Sequence, residues 1–231
     1  MHFISNFNLT KNSYFSLLFS LIPISFIAGN MIININILLL ILSVFLVFGK
    51  SPFKVKYFLL DKIIFLFFFL ILFTGAYNDI ELFIKKREFS DWRGDYETLK
   101  KSLFFFKYLF FYVALRFLVE KNIIDLKLFF ITCSLSSLFV CFDIFYQYKF
   151  GEDIFGFKTL GSGRKLGGPF GDELIAGGFI QRFSLFSFFV LPLYYLEKSK
   201  SLSKYLLPIL FIIFFTGIIL SGNRMPLLLF V

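Results

Sequence analysis

Long stretches of Phe, Leu and Ile recur along the chain, each closed off by a short polar or charged connection. A helix needs about 20 apolar residues to cross the hydrocarbon core of a bilayer. By that rule about seven spans are expected, at roughly 14–29, 31–48, 63–77, 102–119, 126–148, 174–196 and 205–220. A further apolar run opens at Met225 and stops at Val231, too short to cross. The expected fold is all-α, a polytopic transmembrane bundle of about seven spans plus the start of an eighth. A single transmembrane helical domain over residues 1–231 is expected, and the broken-off last run makes the chain look like the N-terminal part of a longer protein.

The first span has a rival reading. Lys11 followed by an apolar run ending near Ala28-Gly29 loosely fits a secretory signal. The second span follows at once, however, so a membrane hairpin is expected.

Composition points the same way. The chain is 58% hydrophobic with 40 Phe, well above the roughly 45–50% apolar content of soluble domains. Lysines then give an orientation, because cytoplasmic connections carry the excess of basic residues. The first hairpin tip has no Lys or Arg, whereas the next connection holds Lys50, Lys54, Lys56 and Lys62. The N-terminus and that connection are therefore expected to be cytoplasmic, together with the connections at 120–125 and 197–204. Lys85, Lys86, Arg87, Lys100 and Lys101 run against this pattern, in a connection at 78–101 that also carries acids between Asp79 and Glu97. Trp92 and Tyr96 within it suit an interfacial anchor.

The net charge of +9 does not indicate nucleic acid, since the cations are dispersed rather than gathered into a stripe. Anionic membrane lipid accounts for the inner ones. Cys133 and Cys141 lack metal-ligand spacing and read as buried free thiols. No metal site is expected. Arg116, four residues before Glu120, reads as a local ion pair.

The stretch GSGRKLGGPFGDELIAGGFIQRF, Gly161 to Phe183, is different. It is not a phosphate loop, because Gly167-Gly168 is followed by Pro169 rather than Lys-Ser/Thr. An irregular outward loop leading into the sixth span remains. Gly171, Ile175, Gly178 and Arg182 share one side of the expected helix. Side chains lean toward a helix N-terminus, so Arg182 leans outward over the bare patch at Gly178. A charge at such depth costs about 2.5–3.5 kcal/mol and normally faces protein or a wet cavity.

The closing SGNRMPLLLF follows similar logic. Asn223 suits an N-cap and Pro226 a first helical turn, which puts Arg224 at an outward helix start that favours anions. Arg164 in the loop and Lys107 on span four add to the same field, and Asp143 is the expected carboxylate partner of an arginine. Asp172 and Glu173 read as acids favoured at a helix N-terminus. Plainer roles compete: an Arg182–Asp143 structural pair, close helix packing at Gly177 and Gly178, and a solvated Arg224. Clustered arginines at a membrane boundary suit a lipid-linked diphosphate, because guanidinium grips phosphate oxygens through a planar fork.

These features resemble the O-antigen ligase and O-antigen polymerase superfamily of bacterial membrane glycosyltransferases. The resemblance lies in the hairpin LIPISFIAGNMIININILLLIL, the segment GGPFGDELIAGGF entering a helix that ends LPLYYL, and LSGNRMPLLLF. Gly171-Asp172-Glu173 departs from the Asn or His that many members carry after the Phe of that entry segment. The resemblance implies a multi-pass enzyme of the bacterial inner membrane, without cofactor. Its partners would be a lipid-linked glycan donor, undecaprenyl diphosphate, and a glycan or lipid acceptor in lipopolysaccharide or polysaccharide biosynthesis. Arg182, Arg224 and Arg164 would hold the diphosphate. No residue is assigned as the acceptor's base, and further arginines and a histidine are expected in a periplasmic loop beyond Val231. The other class open at this point is a transporter or flippase for an anionic or lipid-linked solute, which intramembrane Arg182 and the helix-breaking Pro192 and Pro208 would also suit.

Overall fold

The computed structural model describes residues 11–86, 97–159, 165–195 and 200–230. Among them the regular elements are helical and no strand is present. The chain divides into two compact units, one combining residues up to Asn36 with those from Ile124 onward, the other running from Ile37 to Ile123.

The first unit opens with α1 (Lys11–Ser20) and α2 (Ile22–Ile27), separated at Leu21. Pro23 sits in the first turn of α2, where its missing N–H costs no intrahelical bond. Gly29, at φ +113°, then turns the chain into α3 (Asn30–Phe48), giving the expected hairpin. Buried Asn36 fastens it, donating to Ser25 Oγ at 3.0 Å and to the Leu18 carbonyl at 3.3 Å. In an apolar surrounding an unmade amide bond is costly, so this residue specifies which helices pair.

Helix α7 (Leu126–Phe150) begins at Asp125, whose carboxylate accepts from the Lys127 N–H at 2.9 Å. The Asp125 N–H itself donates to Ser16 Oγ, tying α7 to α1. Gly151, at φ +83°, ends α7 with a left-handed cap. Helices α8 (Ala176–Tyr195), α9 (Lys200–Leu220) and α10 (Arg224–Phe230) complete the unit. Its core packs around Cys141, Ile144, Ile180, Phe214 and Ile218, all fully buried. A Cβ at Gly217 would lie 2.7 Å from Cys141 Sγ, so only glycine lets α9 approach α7 this closely. Cys133 and Cys141 are buried free thiols.

The second unit holds the rest of α3, a 3₁₀ turn at Ser51–Lys54, α4 (Leu59–Lys86), α5 (Glu97–Phe105) and α6 (Lys107–Glu120). Helix α4 runs well past the expected end near residue 77. Charge ends an apolar run but does not break a helix, so much of the expected connection at 78–101 is helical. Buried Asp79 accepts from the Leu99 N–H at 2.8 Å, satisfying a free donor in the first turn of α5. Trp92 and Tyr96 lie outside the described residues.

Asp61 anchors a network that the sequence did not suggest. Its carboxylate accepts from the Phe58 N–H at 2.6 Å and from the Tyr112 hydroxyl, and it pairs with Arg116 Nε at 3.6 Å. Arg116 also reaches Glu120 at 3.6 Å, the expected local pair, while its guanidinium lies over the Phe58 ring.

Among the described residues four helical stretches are long and apolar enough to cross a membrane: Asn30–Phe48, Leu59–Glu81, Glu97–Glu120 and Leu126–Phe150. Asn12–Ile27 and Leu206–Leu220 are apolar but shorter. Leu46, Leu59, Phe73, Phe104 and Leu228 are among the many large apolar side chains left exposed. Water would penalise such a surface, and lipid would not.

Candidate functional site

The approach to α8 is built by two residues one helical turn apart on α7. Asp143 and Gln147 are both buried near its end. Asp143 Oδ1 accepts from the Ile154 N–H at 2.8 Å. Gln147 donates to the Phe157 carbonyl at 3.3 Å and accepts from the Gly168 N–H at 2.9 Å. Asp153 closes the small loop by accepting from the Phe157 N–H at 2.6 Å, with a backbone antiparallel bridge between Glu152 and Lys158. Thus α7 holds both the 152–158 loop and the 3₁₀ turn Gly168–Phe170.

Gly171 departs from expectation. It has φ +59° and ψ −120°, and α8 begins only at Ala176. It therefore cannot share a helical face with Arg182. Its bare Cα lies against the Phe157 ring, where a Cβ would come within 3.3 Å and the backbone angle would be strained.

Gly178 and Arg182, four residues apart on α8, do share a face, and it opens on a cavity of about 560 Å³. Arg224, the first residue of α10, lines the same cavity, as does Lys165. Phe26, Phe179 and Phe183 are among its apolar walls, and among the described residues no carboxylate lines it. Arg182 and Arg224 are both exposed. Among the described residues neither guanidinium has an ion-pair or hydrogen-bond partner. Cations without a partner among the described residues, set beside aromatic walls, have the chemistry to hold an amphiphile with an anionic head.

The two adjacent glycines separate cleanly. A Cβ at Gly177 would collide with the Ser221 hydroxyl and come within 3.0 Å of Asn223. At Gly178 the nearest atom would be Pro226 Cγ at 3.9 Å. Gly177 is the packing residue, and Gly178 faces the cavity. Asn223 donates its side-chain amide to the Leu174 carbonyl at 3.0 Å, rather than serving α10 as the expected cap. That bond carries the turn bearing Arg224 against the segment leading into α8.

The remaining sequence candidates fall elsewhere. Asp143 pairs with neither Arg182 nor Arg224; its Oδ2 is buried and has no hydrogen-bond partner among the described residues. The carboxylate is spent instead on the backbone of a loop that folds back over α7. Glu173 accepts from Asn30 Nδ2 at 3.2 Å, and neither it nor the exposed Asp172 lines the cavity. Lys107 belongs to the second unit, with its ammonium 5.0 Å from the centre of the Tyr108 ring. Arg164 lies outside the described residues. Lys165, which the sequence reading passed over, is the added cation; its place directly after Arg164 in the glycine-rich loop was the available signal. Among the described residues no group of three or more His, Cys, Asp and Glu is placed to hold a metal.

No protein family, curated protein or solved structure matches the chain.

Proposed function

We propose that the chain forms part of an integral membrane glycosyltransferase that moves a glycan from undecaprenyl diphosphate to an acceptor hydroxyl at the periplasmic face, as an O-antigen ligase or polymerase does. The observation that carries the reading is the pair Arg182 and Arg224, lining one aromatic-walled cavity without a partner among the described residues. Breaking the glycosidic bond to the diphosphate leaves negative charge on its oxygens. Fixed guanidinium groups stabilise that charge where it develops, and the low-dielectric walls strengthen the effect. Lys165 adds a point charge at the rim, and the phenylalanines suit the first units of an isoprenoid chain. On this reading α1–α2, α3, α4, α5–α6, α7, α8 and α9 are the spans of an inner-membrane bundle whose N-terminus is cytoplasmic.

The test is glycan transfer in a strain lacking the native protein. Arg182→Ala and Arg224→Ala should each lower transfer at least a hundredfold, the usual scale for losing one charge-stabilising donor, about 2.7–4 kcal/mol. Membrane insertion, followed by fractionation, should be unchanged. Full transfer by either variant would end the proposal, and loss of solute uptake with transfer intact would favour a carrier.

A further inference from the structure

A second recess lies wholly within the second unit. The last turn of α3, the 3₁₀ turn Ser51–Lys54 and the end of α6 enclose about 450 Å³. Its floor is apolar: the Phe48 and Phe117 rings meet edge to face at 5.0 Å, and Val55 and Phe117 are buried. Its rim is polar, with Ser51, Lys54, Glu120 and Lys121. Glu120 is drawn to Arg116 at 3.6 Å, a cation it shares with Asp61. Lys54 and Lys121 are exposed and, among the described residues, have no ion-pair partner.

The charge around the recess is one-sided. Lys50 and Lys56 flank the 3₁₀ turn and Lys62 stands in the first turn of α4, all exposed. The nearby acids, Asp61 and Glu120, are both held by Arg116. Beside this cationic rim, Leu46, Val47, Phe58 and Leu59 present exposed apolar side chains. A ligand matching both features carries an anionic head and adjoining hydrocarbon.

We propose that this recess binds the headgroup of an anionic glycerophospholipid. Its phosphodiester sits between Lys54 and Lys121, with the Ser51 hydroxyl as a further donor, and its acyl chains lie along the apolar flank of α3 and α4. The site is independent of the cavity beside α8 and of the reaction proposed there.

The test is native mass spectrometry of the detergent-purified full chain, titrated with dioleoyl phosphatidylglycerol or dioleoyl phosphatidylcholine. The anionic lipid should be retained preferentially. Lys54→Gln with Lys121→Gln should weaken its binding by about 25-fold, since each lysine near an anionic headgroup is worth about fivefold. Lys54→Arg with Lys121→Arg should restore it, and Lys100→Gln with Lys101→Gln, on α5, should leave it unchanged. Circular dichroism checks that each variant is folded. Equal retention of the two lipids, or undiminished phosphatidylglycerol binding in the folded glutamine variant, would overturn the proposal. So would binding of glycerol 1-phosphate as strong as that of the lipid, which would mark a site for soluble phosphate.

Discussion

Gly177 and Gly178 are adjacent and chemically identical, yet one meets Ser221 and Asn223 while the other meets open cavity. Adding a methyl group therefore has opposite consequences. Gly177→Ala should destabilise the protein by about 1–3 kcal/mol, the usual cost of overpacking a tight contact. Gly178→Ala should leave stability intact, because alanine also favours a helix. Thermal unfolding in detergent distinguishes them, and equal losses would contradict the division of roles. The sequence showed that small residues mattered here but not which did what. A helical face can be read from spacing, whereas the partner opposite a glycine depends on a turn more than forty residues away, at Ser221 and Asn223. Asp143 was misread for a related reason. Its depth correctly demanded a partner, but the partner is the backbone N–H of Ile154, and backbone donors leave no mark in a sequence.

At the scale of elements, apolar run length located the helices and polarity misplaced some of their ends. Helix α4 continues through Lys86 because nothing between residue 77 and that point forces the backbone out of helical geometry. The network at Asp61 shows what packing adds. Tyr112, Arg116 and Glu120 lie at four-residue intervals along α6, a spacing the sequence displays, but the carboxylate that Tyr112 and Arg116 serve comes from α4. Arg116→Ala leaves buried Asp61 without its cation and should cost about 3 kcal/mol. Tyr112→Phe removes one donor and should cost less, about 1.5–3 kcal/mol for a bond to a charged acceptor. Denaturation in mild detergent gives both values. A small effect of Arg116→Ala would mean that water, not the guanidinium, compensates Asp61.

For the whole molecule, hydropathy was enough to read a helical architecture with segments long and apolar enough to cross a membrane, and the described residues bear that out. The arrangement of charge carries the proposed orientation and can be checked directly. Cys133 and Cys141 are fully buried, so the background reactivity of the chain should be low. A cysteine replacing exposed Lys158 should react with an impermeant maleimide in intact cells, and one replacing Lys54 only after permeabilisation. The reverse pattern would invert the proposed orientation. The cavity beside α8 was only half readable: its two arginines stand out by depth and position, whereas Lys165 and the aromatic walls emerge only when α2, α8 and α10 are folded together.

The bond from Asn223 to Leu174 has a consequence for ligand size. It hitches the Arg224 turn to the chain entering α8, while Ser221 abuts Gly177 with no slack. The backbone positions that carry the two arginines are thus tied together, so on the proposed reading an anion long enough to touch both guanidiniums would be held at each end, and a shorter one by a single fork.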